Sequence, residues 1–143
     1  MLGVTREAPV RKPRRTAVAL CAIAAIFCMP AHSEEICSTL NGSVLIAQND
    51  QTTFLGKIAT SLDPNSIFNE FGTYGNPFSS KSIWNEFTAF GNQFNSHSPF
   101  NSFSSSPPMI IKDKRIIGYL SSNKSIKASI APDLLKALCK EAL

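Results

Sequence analysis

The chain has 143 residues, and its 14 Lys and Arg against 10 Asp and Glu give a formal net charge of +4 at pH 7. Residues 1–33 contain five of the basic residues and one acid, so residues 34–143 carry nine bases and nine acids. This length excludes a large multidomain enzyme and a protein with several membrane spans. The neutral remainder argues against nucleic-acid binding, which depends on an excess of positive charge.

The N-terminal segment has the pattern of a secretory signal peptide. A basic stretch at residues 11–15 precedes thirteen uninterrupted apolar residues, 17–29, and small residues follow. The apolar run is shorter than the about 20 residues that a transmembrane helix needs. We predict a signal peptide over residues 1–33, cleaved after Ser33, and a single mature domain over residues 34–143 in the periplasm or outside the cell. A buried core helix and an uncleaved anchor are the alternatives.

Two cysteines, Cys37 and Cys139, remain after this cleavage, one near each end of the mature domain. Export places them in an oxidising compartment, where paired cysteines form disulfides. We therefore predict a Cys37–Cys139 disulfide that closes nearly the whole domain. Two free thiols are one alternative, and a catalytic Cys–His pair with His97 is another.

The middle of the chain repeats with a period of sixteen residues. Ser-Ile-Phe-Asn-Glu-Phe at residues 66–71 returns as Ser-Ile-Trp-Asn-Glu-Phe and then, degraded, as Ser-Pro-Phe-Asn-Ser-Phe. The first two units are identical at nine of sixteen positions. We place the repeats at residues 66–81, 82–97 and, in degenerate form, 98–113.

The residue types of each unit predict short turns separated by Gly-Asn loops. Ser at the first position can cap a short helical turn made by the next three residues, Asn can bond the backbone two residues on, and Gly permits positive φ. Asn69, Asn85 and Asn101 share one register, so we expect a ladder of turn-stabilising asparagines. Ligand binding by that ladder is the alternative.

Ten aromatic side chains lie between Phe68 and Phe103. In so polar a stretch we expect most of the rings to pack inward and supply a core. In the alternative, some rings face outward as a platform for sugars or another apolar partner. Trp84 is the ring whose exposure matters most, and it joins the three asparagines of the ladder as a candidate binding residue.

Glu70 and Glu86 also share a register. Two carboxylates can serve acid–base chemistry or hold a cation. Single acids sixteen residues apart, without an Asp-rich loop between them, are more typical of a solvated face. The sequence therefore assigns no catalytic residue, no metal site and no cofactor.

Two similar pairs of strands flank the repeats. Residues 43–47 and 52–58 form the first pair, and residues 109–111 and 115–120 form the second. The second strand of each pair contains a glycine, which suggests a bulge or a close backbone approach. An isolated hairpin is marginally stable in water, so we expect the two hairpins to pair into one small antiparallel sheet.

The C-terminal residues predict a helix that starts near Pro132 and carries an apolar face ending at Cys139. The predicted fold class is therefore α+β. It combines a small antiparallel sheet from two hairpins, a layer of sixteen-residue aromatic loop repeats and one C-terminal helix.

The tandem Ser-Ile-x-Asn-x-Phe units, the Gly-x-Tyr-Gly loop at residues 72–75 and the preceding Leu-Gly-x-Ile strand resemble a family of short exported bacterial proteins that carry several such units. The likeness spans roughly residues 53–103. It implies an exported bacterial protein and brings no active site, substrate or cofactor with it.

These features favour a non-enzymatic binding or structural module of the bacterial periplasm or cell envelope. The expected partner is a cell-envelope glycan or another envelope protein, with no nucleic acid and no stable membrane anchor after signal cleavage. A small envelope hydrolase or enzyme inhibitor is the first alternative. A self-associating repeat protein is the second, because stretches rich in Asn, Ser and aromatic residues are prone to β-aggregation.

Overall fold

The computed structural model describes Gly3 and residues 31–143, and the basic and apolar stretches of the predicted signal peptide lie outside the described residues. The described chain has two helices and five strands. In chain order these are α1 Ala31–Leu40, β1 Val44–Ile46, β2 Phe54–Lys57, β3 Met109–Lys112, β4 Arg115–Leu120, β5 Ser129–Ile130 and α2 Pro132–Cys139. The α+β class is thus confirmed. Within residues 31–143, no helix is both long and apolar enough to cross a membrane.

The strands form one mixed sheet in the order β2-β1-β3-β4-β5. Strand β1 pairs antiparallel with β2 and with β3, and β3 pairs antiparallel with β4. Strand β5 joins the β4 edge in parallel, so the sheet is not the purely antiparallel one that the sequence predicted. With two residues between a turn and a helix, β5 is too short to give the alternating pattern that marks a strand.

Glycines in β2 and β4 mark places where other backbone comes close. A Cβ on Gly56, whose φ is +110°, would lie 2.7 Å from Tyr74 Cβ and 2.9 Å from Ile67 Cγ2. A Cβ on Gly118 would lie 2.6 Å from Ala128 O. Register shifts in the sheet fall beside both glycines. The predicted bulge or close approach at each second strand is therefore confirmed.

The first repeat unit continues the sheet beyond its β2 edge. Lys57 and Ser66 form an isolated parallel bridge, with Ile67 N–H donating to Lys57 O at 2.9 Å. At the other side, Ser122 N–H donates to Pro99 O at 2.7 Å just after β4. The repeats therefore contact the β2 edge at one end of the layer and the residues following β4 at the other.

The buried core joins the sheet, both helices and the repeats. Its members include strand, helix and repeat residues, with Ile67, Phe68 and Ile83 supplied by the first two units. The repeats thus contribute part of the hydrophobic core. A small domain buries only a limited fraction of its surface, so side chains from the repeats are needed in addition to those of the sheet and helices.

The sequence does not predict helix α1, because these residues lie at the predicted junction between the signal peptide and the mature domain. The helix runs without a break across Ser33, the predicted cleavage point. Its buried Cys37 forms a disulfide with Cys139 of α2, with the two Cα atoms 5.3 Å apart. The predicted disulfide is confirmed, and it ties α1 to the end of α2.

Reduction of this disulfide should lower the free energy of unfolding, because the bond closes a loop of 102 residues. The chain-entropy estimate for a loop of about 100 residues is up to about 4.7 kcal/mol. Thermal unfolding of residues 34–143 with and without reductant measures the effect. A Cys37→Ser/Cys139→Ser variant is the control and should unfold at the temperature of the reduced protein in both conditions. An unchanged Tm after verified reduction would contradict this account.

Candidate functional site

Residues 60–104 form a succession of tight turns. Backbone N–H groups donate to the carbonyl three residues earlier, from Asp63 to Thr60 through to Ser104 to Asn101. The series is broken once in each of the first two units by a four-residue step, at Asn76 and at Asn92. Four steps of three residues and one of four make sixteen, which gives the sequence period a physical origin.

The recurring asparagines brace these turns with both ends of their amides. Asn69, Asn85 and Asn101 each accept the backbone N–H two residues on, at 2.8–3.1 Å. Each also donates from Nδ2 to the carbonyl six residues earlier, at 3.1–3.2 Å. Among residues 31–143 no hydrogen bond joins one of these asparagines to another. The predicted bonds of these asparagines to the backbone two residues on are thus confirmed, and the geometry gives the three side chains a role in holding the turns.

Trp84 is half-buried and connects neighbouring units. Its Nε1 donates to Ile67 O at 2.6 Å, and its ring meets Phe100 edge to face with centroids 5.8 Å apart. Lys136 Nζ of α2 lies 4.5 Å from the ring centroid, a cation–π contact. Trp84 is thus a fixed part of the fold with one part of its surface still accessible.

Five phenylalanines of the repeats point outward, so the expectation that most rings pack inward is wrong for half of the ten. We call them the outer phenylalanines, and each is 83–98% exposed: Phe71, Phe78, Phe87, Phe94 and Phe103. They occupy two positions of the repeat: we call the three rings at the sixth position of successive units column one and the two rings at the thirteenth position column two.

Each outer phenylalanine stands two residues after an asparagine whose Oδ1 accepts its backbone N–H, at 2.8–3.1 Å. Asn and Asp make such turns when the side-chain oxygen bonds the backbone two residues on. The N–H is held by the turn, and the ring is left at its outer corner. The motif Asn-x-Phe occurs five times between residues 69 and 103. It was the sequence signal that could have identified the exposed rings.

A cavity of about 640 Å³ opens beside the second and third units, and we call it the aromatic groove. Four of its lining residues are aromatic: Trp84, Phe87, Phe94 and Phe100. The polar lining residues include two carboxylates, two amides and two hydroxyls: Glu86, Asp133, Asn92, Gln93, Ser102 and Ser122. The groove combines ring faces with polar groups in the way typical of small-molecule sites.

Polar groups of the groove keep hydrogen-bonding capacity. Within the described chain, the side chains of Gln93, Ser102 and Ser122 make no hydrogen bond to protein. Asn92 uses only Oδ1, which accepts Phe94 N–H at 2.8 Å. Asn92 therefore differs from the three candidate asparagines, whose amides are bonded at both ends. Of the four candidate binding residues, the groove contains Trp84 alone.

Glu70 and Glu86 occupy the same position of successive units but have different neighbours. Lys140 Nζ donates to Glu70 Oε1 at 2.7 Å. This bond lowers the pKa of Glu70 and raises the pKa of Lys140. Glu86 instead lines the groove, where its companion carboxylate is Asp133 of α2. Asp133 is not among the candidate residues that the sequence indicates, because nothing in the spacing brings residue 133 to the repeats.

Within the described residues, the structure forms neither the alternative Cys–His pair nor a metal site. Cys37 and Cys139 are joined in the disulfide, so neither can form the alternative catalytic Cys–His pair with His97. His97 Nδ1 lies 3.3 Å from Ser106 Oγ instead. Residues 31–143 contain no cluster of three or more His, Cys, Asp or Glu that could hold a metal ion.

No family model, curated protein or solved structure matches this chain. Functional conclusions therefore rest on the residues and their geometry.

Replacing Asn85 by Ala should cost about 1–3 kcal/mol of unfolding free energy, because it removes two hydrogen bonds at a side chain that is 7% exposed. Asn92→Ala is the matched control. It removes one bond beside the exposed Phe94 and should cost about 0.5–1 kcal/mol. Urea unfolding measures both, and equal losses would show that the second amide bond contributes nothing.

Asp63, which starts the turn before the first unit, should add a pH-dependent term to stability. Its Oδ1 accepts Asn65 N–H at 2.8 Å and its Oδ2 accepts Lys57 Nζ at 3.1 Å, and the two bonds lower the pKa of Asp63 from 3.8. A folded pKa below the unfolded one gives stability that is full above the unfolded pKa and is lost as pH falls through the folded pKa. The Tm difference between wild type and Asp63→Asn should therefore shrink from about pH 7 to about pH 2.5. A Tm difference that stays constant over this pH range would contradict a pH-dependent contribution of Asp63 to stability.

Proposed function

We propose that the protein is an exported, non-enzymatic binding module of the bacterial cell envelope that holds a glycan chain in the aromatic groove. The observation that carries the proposal is the combination of four rings with polar side chains that keep hydrogen-bonding capacity. A sugar ring has an apolar C–H face that can lie on an aromatic ring. Its hydroxyls can bond to amides, hydroxyls and carboxylates around that ring.

Export is supported by the N-terminal pattern of basic and apolar residues and by the Cys37–Cys139 disulfide. Disulfides persist in the periplasm and outside the cell, and they are rare where thiols are kept reduced. The resemblance of residues 53–103 to exported bacterial repeat proteins points the same way. We propose on these grounds that each sixteen-residue unit is one coil of turns and that neighbouring coils together form the groove.

The groove has a fixed floor and an exposed rim. Trp84 is held by its bond to Ile67 O and by the ring of Phe100, so these two rings need little ordering when a ligand arrives. Phe87 and Phe94 rise from the rim, and both are more than four-fifths exposed. A sugar unit between floor and rim would cover apolar surface on both sides.

Helix α2 explains why the groove lies beside the second and third units. Near its C-terminal end, Lys140 bonds Glu70 of the first unit, and one turn earlier Lys136 covers part of Trp84. At its N-terminal end the short Asp133 side chain lines the groove. Long basic side chains thus lie over Glu70 of the first unit and over part of Trp84 in the second, while the surface near Asp133 stays open.

Phe87 and Phe94 at the rim allow a matched test, because Phe71 and Phe78 occupy the same repeat positions in the first unit. Phe87→Ala/Phe94→Ala should lower the fraction of protein that co-sediments with purified peptidoglycan sacculi, with an affinity loss of about tenfold or more. Tenfold corresponds to about 1.4 kcal/mol, which is less than one covered ring can supply. Phe71→Ala/Phe78→Ala should bind as wild type. All four rings are highly exposed, so neither variant should unfold at a lower temperature.

Equal losses in the two double variants would indicate general adhesion by exposed rings and would contradict a groove site. Failure of the wild-type protein to co-sediment would contradict the glycan proposal itself. Trp84→Ala is unsuitable as the probe, because the half-buried indole bonds Ile67 O and its loss would disturb the fold.

A small envelope hydrolase is the second candidate, because Glu86 and Asp133 line the same groove. Hydrolysis of a glycosidic bond commonly uses two carboxyl groups that flank it. Soluble fragments released from sacculi by wild type, and by neither Glu86→Gln nor Asp133→Asn, would favour this candidate over a binding module. Retained binding with no released fragments would favour the binding module.

A further inference from the structure

The two columns of outer phenylalanines are a larger feature than the aromatic groove. Column one contains Phe71, Phe87 and Phe103, and column two contains Phe78 and Phe94. The columns border a common surface, because Phe87 and Phe94 also line a second cavity of about 350 Å³ together with Thr88 and Ala89. No aromatic ring contact is present for any of the five among residues 31–143. Contiguous exposed apolar surface of this kind marks an interaction site.

We infer that the outer phenylalanines form an interface between two copies of this chain. The first argument is area. One aromatic side chain buries about 150–250 Å² when it is fully covered. Five rings that are 83–98% exposed therefore offer roughly 600–1,200 Å² on each copy. A pair would bury roughly 1,200–2,400 Å² in total, which spans the standard size of about 1,600 Å² for a specific interface.

The second argument is symmetry. The columns alternate along the chain as Phe71, Phe78, Phe87, Phe94 and Phe103, so Phe87 stands at the centre of a zigzag. A two-fold axis through Phe87 would set column one against column one in reverse order, and column two likewise. A contact about such an axis would use the same patch on both copies, as the two-fold interface of a homodimer does.

The third argument is charge. Between residues 66 and 111 the chain contains only three Asp, Glu, Lys or Arg residues, which are Glu70, Lys81 and Glu86. Glu70 is already paired with Lys140. Two such surfaces would meet with little repulsion. Two of these three charges are acidic, and α2 and its C-cap add Lys136, Lys140 and Asp133 beside the repeats, so acids and bases are balanced there. An anionic membrane would require an excess of basic residues around the rings. The charge pattern therefore favours a second copy over a lipid surface.

This interface does not depend on glycan binding. Phe87 and Phe94 belong both to the columns and to the groove rim, so a glycan and a second copy would compete for them. Phe71, Phe78 and Phe103 lie outside the groove lining. Variants of these three rings therefore separate the two proposals.

Sedimentation velocity of the purified protein over a range of concentrations tests the interface. The wild-type protein should change from monomer to dimer as concentration rises. Phe71→Ser/Phe78→Ser/Phe103→Ser should raise the dimer dissociation constant by about tenfold or more. Ile116→Ser/Leu134→Ser removes exposed apolar side chains of β4 and α2, outside the columns, and should dimerise as wild type. Circular dichroism should show the same fold in all three proteins.

A wild-type protein that stays monomeric at the highest soluble concentration would overturn the inference. An equal rise in the dimer dissociation constant of the control variant would also overturn the inference, because dimerisation would then depend on exposed apolar residues in general and not on the columns. Assemblies of more than two copies, or binding to zwitterionic phosphatidylcholine vesicles by a protein that is monomeric in solution, would likewise contradict a two-fold interface. Loss of dimerisation in the triple variant with normal co-sedimentation on sacculi would support the interface and leave the glycan proposal standing.

Discussion

The hydrogen bond from a backbone N–H to the side-chain oxygen of an asparagine two residues earlier determines how the repeat layer is built. It satisfies a backbone donor that neither a helix nor a sheet would otherwise satisfy. At Asn69, Asn85 and Asn101 the other end of the amide bonds a carbonyl six residues earlier, so one side chain joins two turns. The same bond at five positions leaves a phenyl ring at the outer corner. Turn stability and surface chemistry therefore come from one interaction.

The turns alone could not hold this layer, because they bury few side chains. The first two units place Ile67, Phe68 and Ile83 in the common core. Gly56 allows the first unit to lie directly on β2. The Cys37–Cys139 disulfide links the two helices, one at each end of the described domain. Lys140 then bonds Glu70 of the first unit, and Lys136 of α2 covers part of Trp84 in the second, while the surface near Asp133 stays open. The position of the aromatic groove is thus a consequence of how the helix crosses the repeats.

The α+β class, the disulfide and the close approaches at Gly56 and Gly118 could be predicted from local residue types and cysteine count. Strand β5 could not, because two residues carry no periodic signal, and α1 could not, because its few apolar residues adjoin a much stronger apolar run. The outward rings were missed for a different reason: composition favours burial of aromatics, whereas the preceding asparagine decides where each ring lies. Asp133 reaches the groove only through the tertiary placement of α2, which spacing along the chain does not reveal.

Trp84 is the only tryptophan of the chain, and it forms part of the floor of the groove. Its fluorescence therefore reports directly on occupation of that site. Titration with a soluble β-linked N-acetylglucosamine oligosaccharide should produce a saturable change in wild type and in Phe71→Ala/Phe78→Ala, and a much weaker one in Phe87→Ala/Phe94→Ala. An unchanged wild-type spectrum throughout the titration, or an equal change in all three proteins, would contradict a glycan site in the aromatic groove.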